Sequence, residues 1–347
     1  MTNDIDELLQ ATERDLPAGR HQLHRERLMT QIHEDLRPSS ATPAAVTRRS
    51  RPLLRRAIVV PVAGFALAGA VVTGVHLASA PGRGSGPATG PLLTTAIGAA
   101  HTDGATRLLD RISLAADDVS TPRATEGQYV YIKSTTATTY VREDDNGSTV
   151  VSEKLHDRQT WKSLDGRDGW LIEPGNTDAG GITLASDVKP YLNAPSYDYL
   201  ATLTTDPDAL LEKIYAETRG HGNSPAQEAF TTIGDLLGES FPPPALNAAL
   251  YKAAARIPGV VTVDDAVDAA GRHGVAVARL DETSGERTEW IFDRKTLAFL
   301  GERTVQVKTV PGDADSARFK TGTVLYTRAI TTRTMVDGIK QTPAQAG

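Results

Sequence analysis

The stretch AIVVPVAGFALAGAVVTGVHLASA, Ala57–Ala80, divides the chain into two unlike parts. Its 24 residues include no Asp, Glu, Lys or Arg. As an α-helix rising 1.5 Å per residue it would measure about 36 Å, enough to cross a hydrocarbon core of about 30 Å. A helix also satisfies its own backbone hydrogen bonds inside lipid, where no water can do so. We therefore expect a single transmembrane helix here.

Arginines crowd only one side of this stretch, at Arg48, Arg49, Arg51, Arg55 and Arg56. Because basic residues mark the cytoplasmic flank of a span, residues 1–56 are expected inside the cell and everything after Ala80 outside. The alternative is a cleaved signal peptide, since Ala78-Ser79-Ala80 fits the small-x-small cleavage pattern. The length of the apolar run, the 56 residues before it and Pro81 after it favour an uncleaved anchor in the cell membrane.

The charges differ on the two sides of the predicted span. Residues 1–56 carry 10 Lys or Arg and 8 Asp or Glu, while the outer part carries the other 27 and 35, a net charge of about −8. Since an acidic surface repels phosphates, no nucleic-acid partner is expected. The chain has no cysteine, which excludes disulfides, Cys-ligated zinc, iron–sulfur clusters and lipid-modified cysteine anchors.

The cytoplasmic tail, residues 1–56, is predicted to be partly helical and partly disordered. Asn3 or Asp4 can cap a first short helix, and a second is predicted from about Arg20 to Leu36. Two short amphipathic helices bury little area alone, so we expect them to fold against a cytoplasmic protein or the membrane surface. His21, His24 and His33 lack the cysteines of a zinc site, and we interpret them as solvated; no metal or cofactor is expected anywhere in the chain.

The outer part comprises a Gly- and Pro-rich flexible linker, residues 81–91, and one folded domain, residues 92–347. A helix is predicted over residues 92–118, followed by strands joined at the hairpin signal Asn146-Gly147. Helices follow, opened by Asp206-Pro207 and Ser224-Pro225 and by a third Pro-led segment from 242 to 257. The last third again predicts strands, over residues 260–263, 274–280, 287–293, 297–310 and 321–336. This order predicts an α+β domain with one curved antiparallel sheet and helices on one face.

The outer domain offers no convincing catalytic constellation. Ser186 and Lys189 match an SxxK pattern, and Lys320-Thr321-Gly322 matches KTG. An SxxK serine must open a helix beside its lysine, and Pro190 disfavours helix at that point. Because no other nucleophile, base or metal motif appears, we do not expect an enzyme.

Aromatic side chains recur in the predicted strands. They are Tyr129, Tyr131, Trp161, Trp170, Trp290 and Phe292. They form the candidate site if a half-open sheet uses them to line an apolar ligand face. The alternative is that they fill the core beneath the helices.

Four stretches carry a resemblance to a known family. They are LTTDPDALLEKIYAE from Leu203, AFTTIGDLLGE from Ala229, PPPALNAALYKAAARIPGV from Pro242 and EWIFDRKTLAFLGERTV from Glu289. They resemble an uncharacterised actinobacterial family of single-span membrane proteins often encoded beside extracytoplasmic-function sigma factors. The resemblance implies a regulatory role, with a sigma factor as the possible partner of the tail. The histidine–cysteine zinc signature of typical anti-sigma factors is missing from this chain.

The predicted domain also resembles the lipoprotein-carrier half-barrel in its pattern of strands interrupted by helices. The expected function is therefore a membrane-anchored signalling protein whose outer domain binds a ligand or partner. The alternative is a membrane-tethered carrier or binding module for lipid or another apolar ligand.

Overall fold

The computed structural model describes residues 87–119, 124–144, 147–313 and 316–343. Within these ranges, no helix combines the length and the apolar character that a membrane crossing requires. The predicted span Ala57–Ala80 lies outside the described residues, as do the predicted tail, residues 1–56, and the first part of the predicted linker.

Helices and strands alternate in blocks along the described chain. The strands are β1 (Thr89–Gly90), β2 (Ala100–His101), β3 (Tyr129–Asp144), β4 (Gly147–Glu153), β5 (His156–Ser163), β6 (Gly169–Ile172), β7 (Ile182–Thr183), β8 (Val260–Val267), β9 (His273–Asp281), β10 (Glu286–Phe292), β11 (Phe299–Gln306) and β12 (Val324–Val336). The helices are α1 (Ala105–Asp117), α2 (Tyr197–Ala201), α3 (Pro207–Glu217), α4 (Pro225–Glu239) and α5 (Pro244–Ala254).

All twelve strands belong to one open sheet in which every ladder between named strands is antiparallel. The strand order is β2-β8-β9-β10-β11-β12-β3-β5-β6-β7, with β4 pairing β3 and β1 pairing β4. The α+β class and the antiparallel sheet predicted from the sequence are thereby confirmed. Strand β3 is central because its 16 residues pair with β12 on one edge and with both β5 and β4 on the other.

Helices α1 to α5 cover one face of the sheet, which we call the helix face. Their apolar side chains form the main core with Val277, Trp290 and Phe292 of β9 and β10. Side chains alternate along a strand, so the neighbouring residues Glu289 and Ile291 point to the opposite side, which we call the second face. The helices and strands β9 and β10 therefore share one core.

Two helices begin as their sequences predict. The Asp206 side chain accepts a hydrogen bond from the backbone N–H of Ala209 at 2.9 Å, and Pro207 takes the first helical position of α3. The hydroxyl of Ser224 accepts from the N–H of Gln227 at 3.2 Å at the start of α4. Such caps satisfy backbone donors that the first helical turn leaves without partners.

Helix α4 packs closely against the sheet because it presents two glycines to it. A Cβ atom on Gly234 would lie 2.5 Å from the indole nitrogen of Trp290, and one on Gly238 would lie 2.7 Å from the Arg328 guanidinium. The end of α4 is held by the same strand, β12, since Arg333 donates to the carbonyls of Leu237 and Ser240.

The helix predicted over residues 92–118 is wrong for its first part, because α1 begins only at Ala105. Residues 88–101 instead form an extended N-terminal strap across the sheet. Its backbone exchanges hydrogen bonds with distant partners, including Thr95 N–H to the Gly322 carbonyl at 2.8 Å and Val324 N–H to the Leu93 carbonyl at 2.9 Å. Strands β1 and β2 are the ends of this strap, so residues 89–90 of the predicted linker belong to the folded domain.

A buried charged triad lies under the strap on the second face. Glu289 accepts from the Nε atoms of Arg287 and Arg303, both at 2.8 Å, and all three side chains are buried. Arg303 also donates to the Thr95 hydroxyl at 3.0 Å. The strap therefore satisfies a charge that the sheet alone would leave partly unpaired.

Candidate functional site

Four aromatic residues meet on the second face, where β3, β5 and β6 lie side by side. Tyr131 stands directly opposite Trp161, and Trp161 directly opposite Trp170. Tyr129 lies two residues before Tyr131 and therefore on the same face. The Tyr131 and Trp161 rings are 5.0 Å apart at a tilt of 36°. We call Tyr129, Tyr131, Trp161 and Trp170 the aromatic cleft.

The chain itself occupies the aromatic cleft. After β12 ends, residues 337–343, which we call the C-terminal segment, pass over it. Ile339 packs against the cluster of Tyr131, Trp161 and Val336. The ammonium of Lys340 lies 3.8 Å from the ring centroid of Trp170, a distance at which the cation is attracted to the aromatic face. With this cover in place Trp161 is 1% and Tyr131 2% exposed.

Only one polar atom of the cleft depends on the C-terminal segment. The Tyr129 hydroxyl donates to Asp168 at 2.9 Å, and the Tyr131 hydroxyl donates to the Gln159 side-chain oxygen at 2.8 Å. The Trp170 indole N–H donates to the Gly180 carbonyl at 2.8 Å. The Trp161 indole N–H, by contrast, donates to the Gln341 backbone carbonyl at 2.6 Å.

The C-terminal segment presents its side chains on a tight turn. The backbone N–H of Gln341 donates to the Gly338 carbonyl at 3.2 Å, which closes a four-residue turn. Lys340, at the third position, has φ of 63°, in the left-handed region that glycine prefers. At its start the segment is fixed by the Gln128 amide, which donates to Asp337 at 2.9 Å.

The two phenols of the cleft remain neutral donors. The hydrogen bond to Asp168, together with burial, raises the pKa of Tyr129. Burial raises the pKa of Tyr131, with Lys133 opposing it. The two tyrosines therefore add no negative charge to the cleft, while Lys340 adds a positive one.

The other two predicted site residues, Trp290 and Phe292, lie on the helix face. Trp290 stacks on Phe230 of α4 with ring centroids 3.9 Å apart and planes within 2°. Phe292 meets Tyr251 of α5 edge-on at 5.6 Å. The structure thus brings four of the six predicted residues together and places the remaining pair in the main core.

A second cluster of charges lies at the end of β6. Glu173 accepts from Arg158 Nε at 3.3 Å and lies 3.2 Å from Nε2 of His156. Burial would raise the pKa of Glu173, but the hydrogen bond from His156 and the charge of Arg158 lower it to about 2. A similar pair ties α4 to β12, where Arg328 donates to Glu239 at 2.6 Å. These oppositely charged side chains pair with each other and join elements of the fold.

The residues of the SxxK and KTG patterns lie in separate loops. Ser186 N–H donates to the Arg167 carbonyl beside β6, and the Ser186 hydroxyl accepts from Val188 N–H at 3.2 Å. Gly322 N–H donates to the Gln306 carbonyl, where the connection between β11 and β12 meets the strap. In the described part of the chain, no group of three or more His, Asp or Glu residues is arranged to hold a metal ion.

The site predicted from the sequence did not include the C-terminal segment. The glycine directly after the last predicted strand, Gly338, suggests a turn, but nothing local in the sequence tells where that turn packs. Compared with known protein families and with curated proteins, the chain matches no family model and no curated sequence.

Proposed function

We propose that this chain is a single-pass membrane protein whose extracytoplasmic domain binds a partner polypeptide at the aromatic cleft and thereby serves in regulation. The observation that carries the proposal is that the cleft already holds a polypeptide, its own C-terminal segment. The contacts made there use an aliphatic side chain, a cation and a backbone carbonyl. Any chain segment of the same chemistry could make them.

The composition of the cleft supports binding to protein. Tyrosine and tryptophan dominate binding hot spots because they bury large areas with few rotatable bonds and keep a polar handle. Trp161 offers its indole N–H, and Trp170 offers a partly exposed ring. Because Tyr129, Tyr131 and Trp170 are held by hydrogen bonds to other parts of the domain, the walls need little reorganisation on binding.

The regulatory part of the proposal rests on the sequence. Ala57–Ala80 would join the outer domain to residues 1–56, which we propose contact a cytoplasmic protein. The resemblance to a family encoded beside sigma factors makes a sigma factor the first candidate. Binding outside would then reach the cytoplasm through one helix.

The alternative, a carrier for lipid or another apolar ligand, draws support from the open antiparallel sheet with helices on one face, which would suit a lipoprotein-carrier-like half-barrel. In a carrier, the ligand would lie between the sheet and the helices. Near α4 and α5 this space is filled by the domain's own side chains. Phe230, Tyr251, Trp290 and Phe292 are all buried there and in contact. We therefore place polypeptide binding first.

A peptide array probed with the detergent-solubilised full chain tests the proposal. Peptides that bind should bind Trp170→Ala at least about 30-fold more weakly, as expected for loss of an aromatic hot spot of about 2 kcal/mol. Tyr129→Ala should also weaken them, whereas Tyr140→Ala, on the same strand but outside the cleft, should not. An array without binders, or binders indifferent to Trp170, would overturn the proposal.

A further inference from the structure

We propose that the aromatic cleft recognises a tight turn carrying an aliphatic residue followed by a lysine, and that the C-terminal segment competes for the cleft in cis. The inference rests on the proposed function and names the chemistry of its ligand. Residues 337–343 would then keep the cleft closed until a partner displaces them.

The ligand chemistry follows from the three contacts that the segment makes. Ile339 packs against the apolar cluster that contains Tyr131 and Trp161. Lys340 places its ammonium over the Trp170 ring. Gln341 supplies the carbonyl for the Trp161 indole N–H. An acidic segment would instead place negative charge against the electron-rich ring.

The hydrogen bonds of the cleft indicate what a partner must supply when it displaces the C-terminal segment. When the segment leaves, the Trp161 N–H loses its protein acceptor, while the polar atoms of Tyr129, Tyr131 and Trp170 keep theirs. A partner chain that offers a carbonyl at the same place restores the missing bond. Water could also do so, but it would leave the apolar walls exposed.

The C-terminal segment is built to leave easily. It follows the last residue of β12, so its release breaks no strand pairing. Lys340 adopts a positive φ, which an L side chain rarely favours, and the segment carries this strain while it is docked. A segment that lies outside the strand ladders and is held by few hydrogen bonds opens at small free-energy cost.

The test compares the full chain with a variant whose segment is weakened, Ile339→Ala/Lys340→Asn. Asparagine tolerates a positive φ, so the turn is kept while the cation and the aliphatic side chain are removed. The probe is a synthetic peptide of residues 336–343, VDGIKQTP, followed by the fluorescence of Trp161 and Trp170. Because a tethered segment competes at a high effective concentration, the variant should bind the probe at least about tenfold more tightly than the unaltered chain.

Control peptides and variants separate the possible failures. A probe with glutamine in place of lysine should bind the weakened variant about tenfold more weakly, and adding Trp170→Ala should remove the difference between the two probes. Equal binding of the probe by the full chain and the variant would overturn competition in cis but leave the proposed function standing. Equal binding of both probes would overturn the lysine preference alone.

Two further outcomes would overturn the proposed ligand chemistry or the proposed competition in cis. If neither chain binds the probe while array peptides do bind the cleft, the ligand chemistry is wrong. If light scattering shows dimers of the unaltered chain that the weakened variant does not form, the occupant in solution is the segment of a second copy. Lys340→Asn alone, which keeps the apolar contact, gives the same comparison should the double variant fold poorly.

Discussion

His156 is the residue whose protonation state the structure defines most directly. Its Nδ1 lies 2.9 Å from the Lys154 carbonyl and its Nε2 lies 3.2 Å from the Glu173 carboxylate. Both partners can only accept, so both ring nitrogens must donate and the imidazole carries a positive charge. Burial alone would lower the pKa of His156. The hydrogen bonds to Glu173 and to the Lys154 carbonyl, together with the negative charges of Glu173 and Glu153, outweigh burial and raise the pKa.

This cluster predicts a pH window for stability. The raised pKa of His156 means that its contribution is complete below pH 6.5 and is lost as pH rises through the folded-state value. The pKa of Glu173, lowered from 4.5 to about 2, gives a contribution present above pH 4.5 and lost as pH falls towards 2. The Glu173 contribution amounts to about 3 kcal/mol.

Urea unfolding of the chain and of His156→Gln, measured from pH 3 to pH 9, checks this window. The variant should be less stable by the largest margin between about pH 4.5 and 6.5, and the margin should shrink at higher pH. His273→Gln serves as the matched control, because the His273 pair with Asp265 is exposed and should contribute little. A margin that stays constant up to pH 9 would contradict a charged His156.

Aromatic residues were easier to predict as strand residues than as members of one face. Period-two spacing places Tyr129 with Tyr131, and the structure agrees. Whether Trp290 shares their face depends on the ladders from β10 to β3, and register shifts interrupt three of them, near Ile291, Thr304 and Ile330. Each extra residue in a strand reverses the faces beyond it. The local sequence pattern does not predict where these bulges occur.

Helix α4 shows how a local preference yields to packing. Glycine is a poor helix former, and replacing Gly234 by alanine would stabilise an isolated helix by about 1 kcal/mol. In this domain the added Cβ would lie 2.5 Å from the indole nitrogen of Trp290 and 3.2 Å from a carbon of the same ring. Because Trp290 is stacked on Phe230, it cannot move without disturbing the core.

We expect Gly234→Ala to destabilise the domain by about 1–3 kcal/mol despite the gain in helix propensity. Thermal or urea unfolding measures the change, and near-ultraviolet circular dichroism reports whether the Trp290–Phe230 stack is disturbed. Thr231→Ala, on the same helix but only half-buried, is the control and should change stability by less than about 1 kcal/mol. A more stable Gly234→Ala variant would mean that α4 has room to shift.

Helix beginnings could be predicted because their signals are local. Asp206-Pro207 and Ser224-Pro225 carry the cap and the first helical residue side by side. The N-terminal strap could not be predicted in the same way. Its apolar residues suit a helix, but its backbone finds acceptors and donors around Gly322 and Val324, more than two hundred positions along the chain. Pairing with such distant residues decides its extended conformation.

The order of the strands likewise depends on contacts far apart in sequence. Short turns predict the neighbours β9, β10 and β11 correctly, since Ser284-Gly285 and Asp293–Thr296 connect adjacent strands. The ladder between β3 and β12 joins residues near 130 to residues near 330, and no short turn in the sequence predicts this pairing. This ladder also brings the C-terminal segment next to the aromatic cleft, so the site could be predicted in part only.

The proposed span and the strap lie close together in the sequence. If the span ends at Ala80 and β1 begins at Thr89, only residues 81–88, PGRGSGPA, separate them. Fully extended, these eight residues reach about 27 Å. With residues 57–80 in a membrane, as we propose, β1 would lie within about 27 Å of its surface.

Limited trypsin digestion tests the topology and this spacing together. Arg83 is the one Lys or Arg within residues 81–88, and the next in sequence, Arg107, lies within α1. Trypsin added from outside to intact cells should cut after Arg83 and release a folded fragment that begins at Gly84, while Arg83→Gln should prevent release. Because the remaining anchor keeps Ala57–Ala80, it should stay in the membrane fraction after alkaline extraction.

If trypsin releases the fragment only after the cells are opened, the orientation is the opposite of the one proposed. A soluble outer domain before any trypsin is added would mean that the chain is cut after Ala80 as a signal peptide.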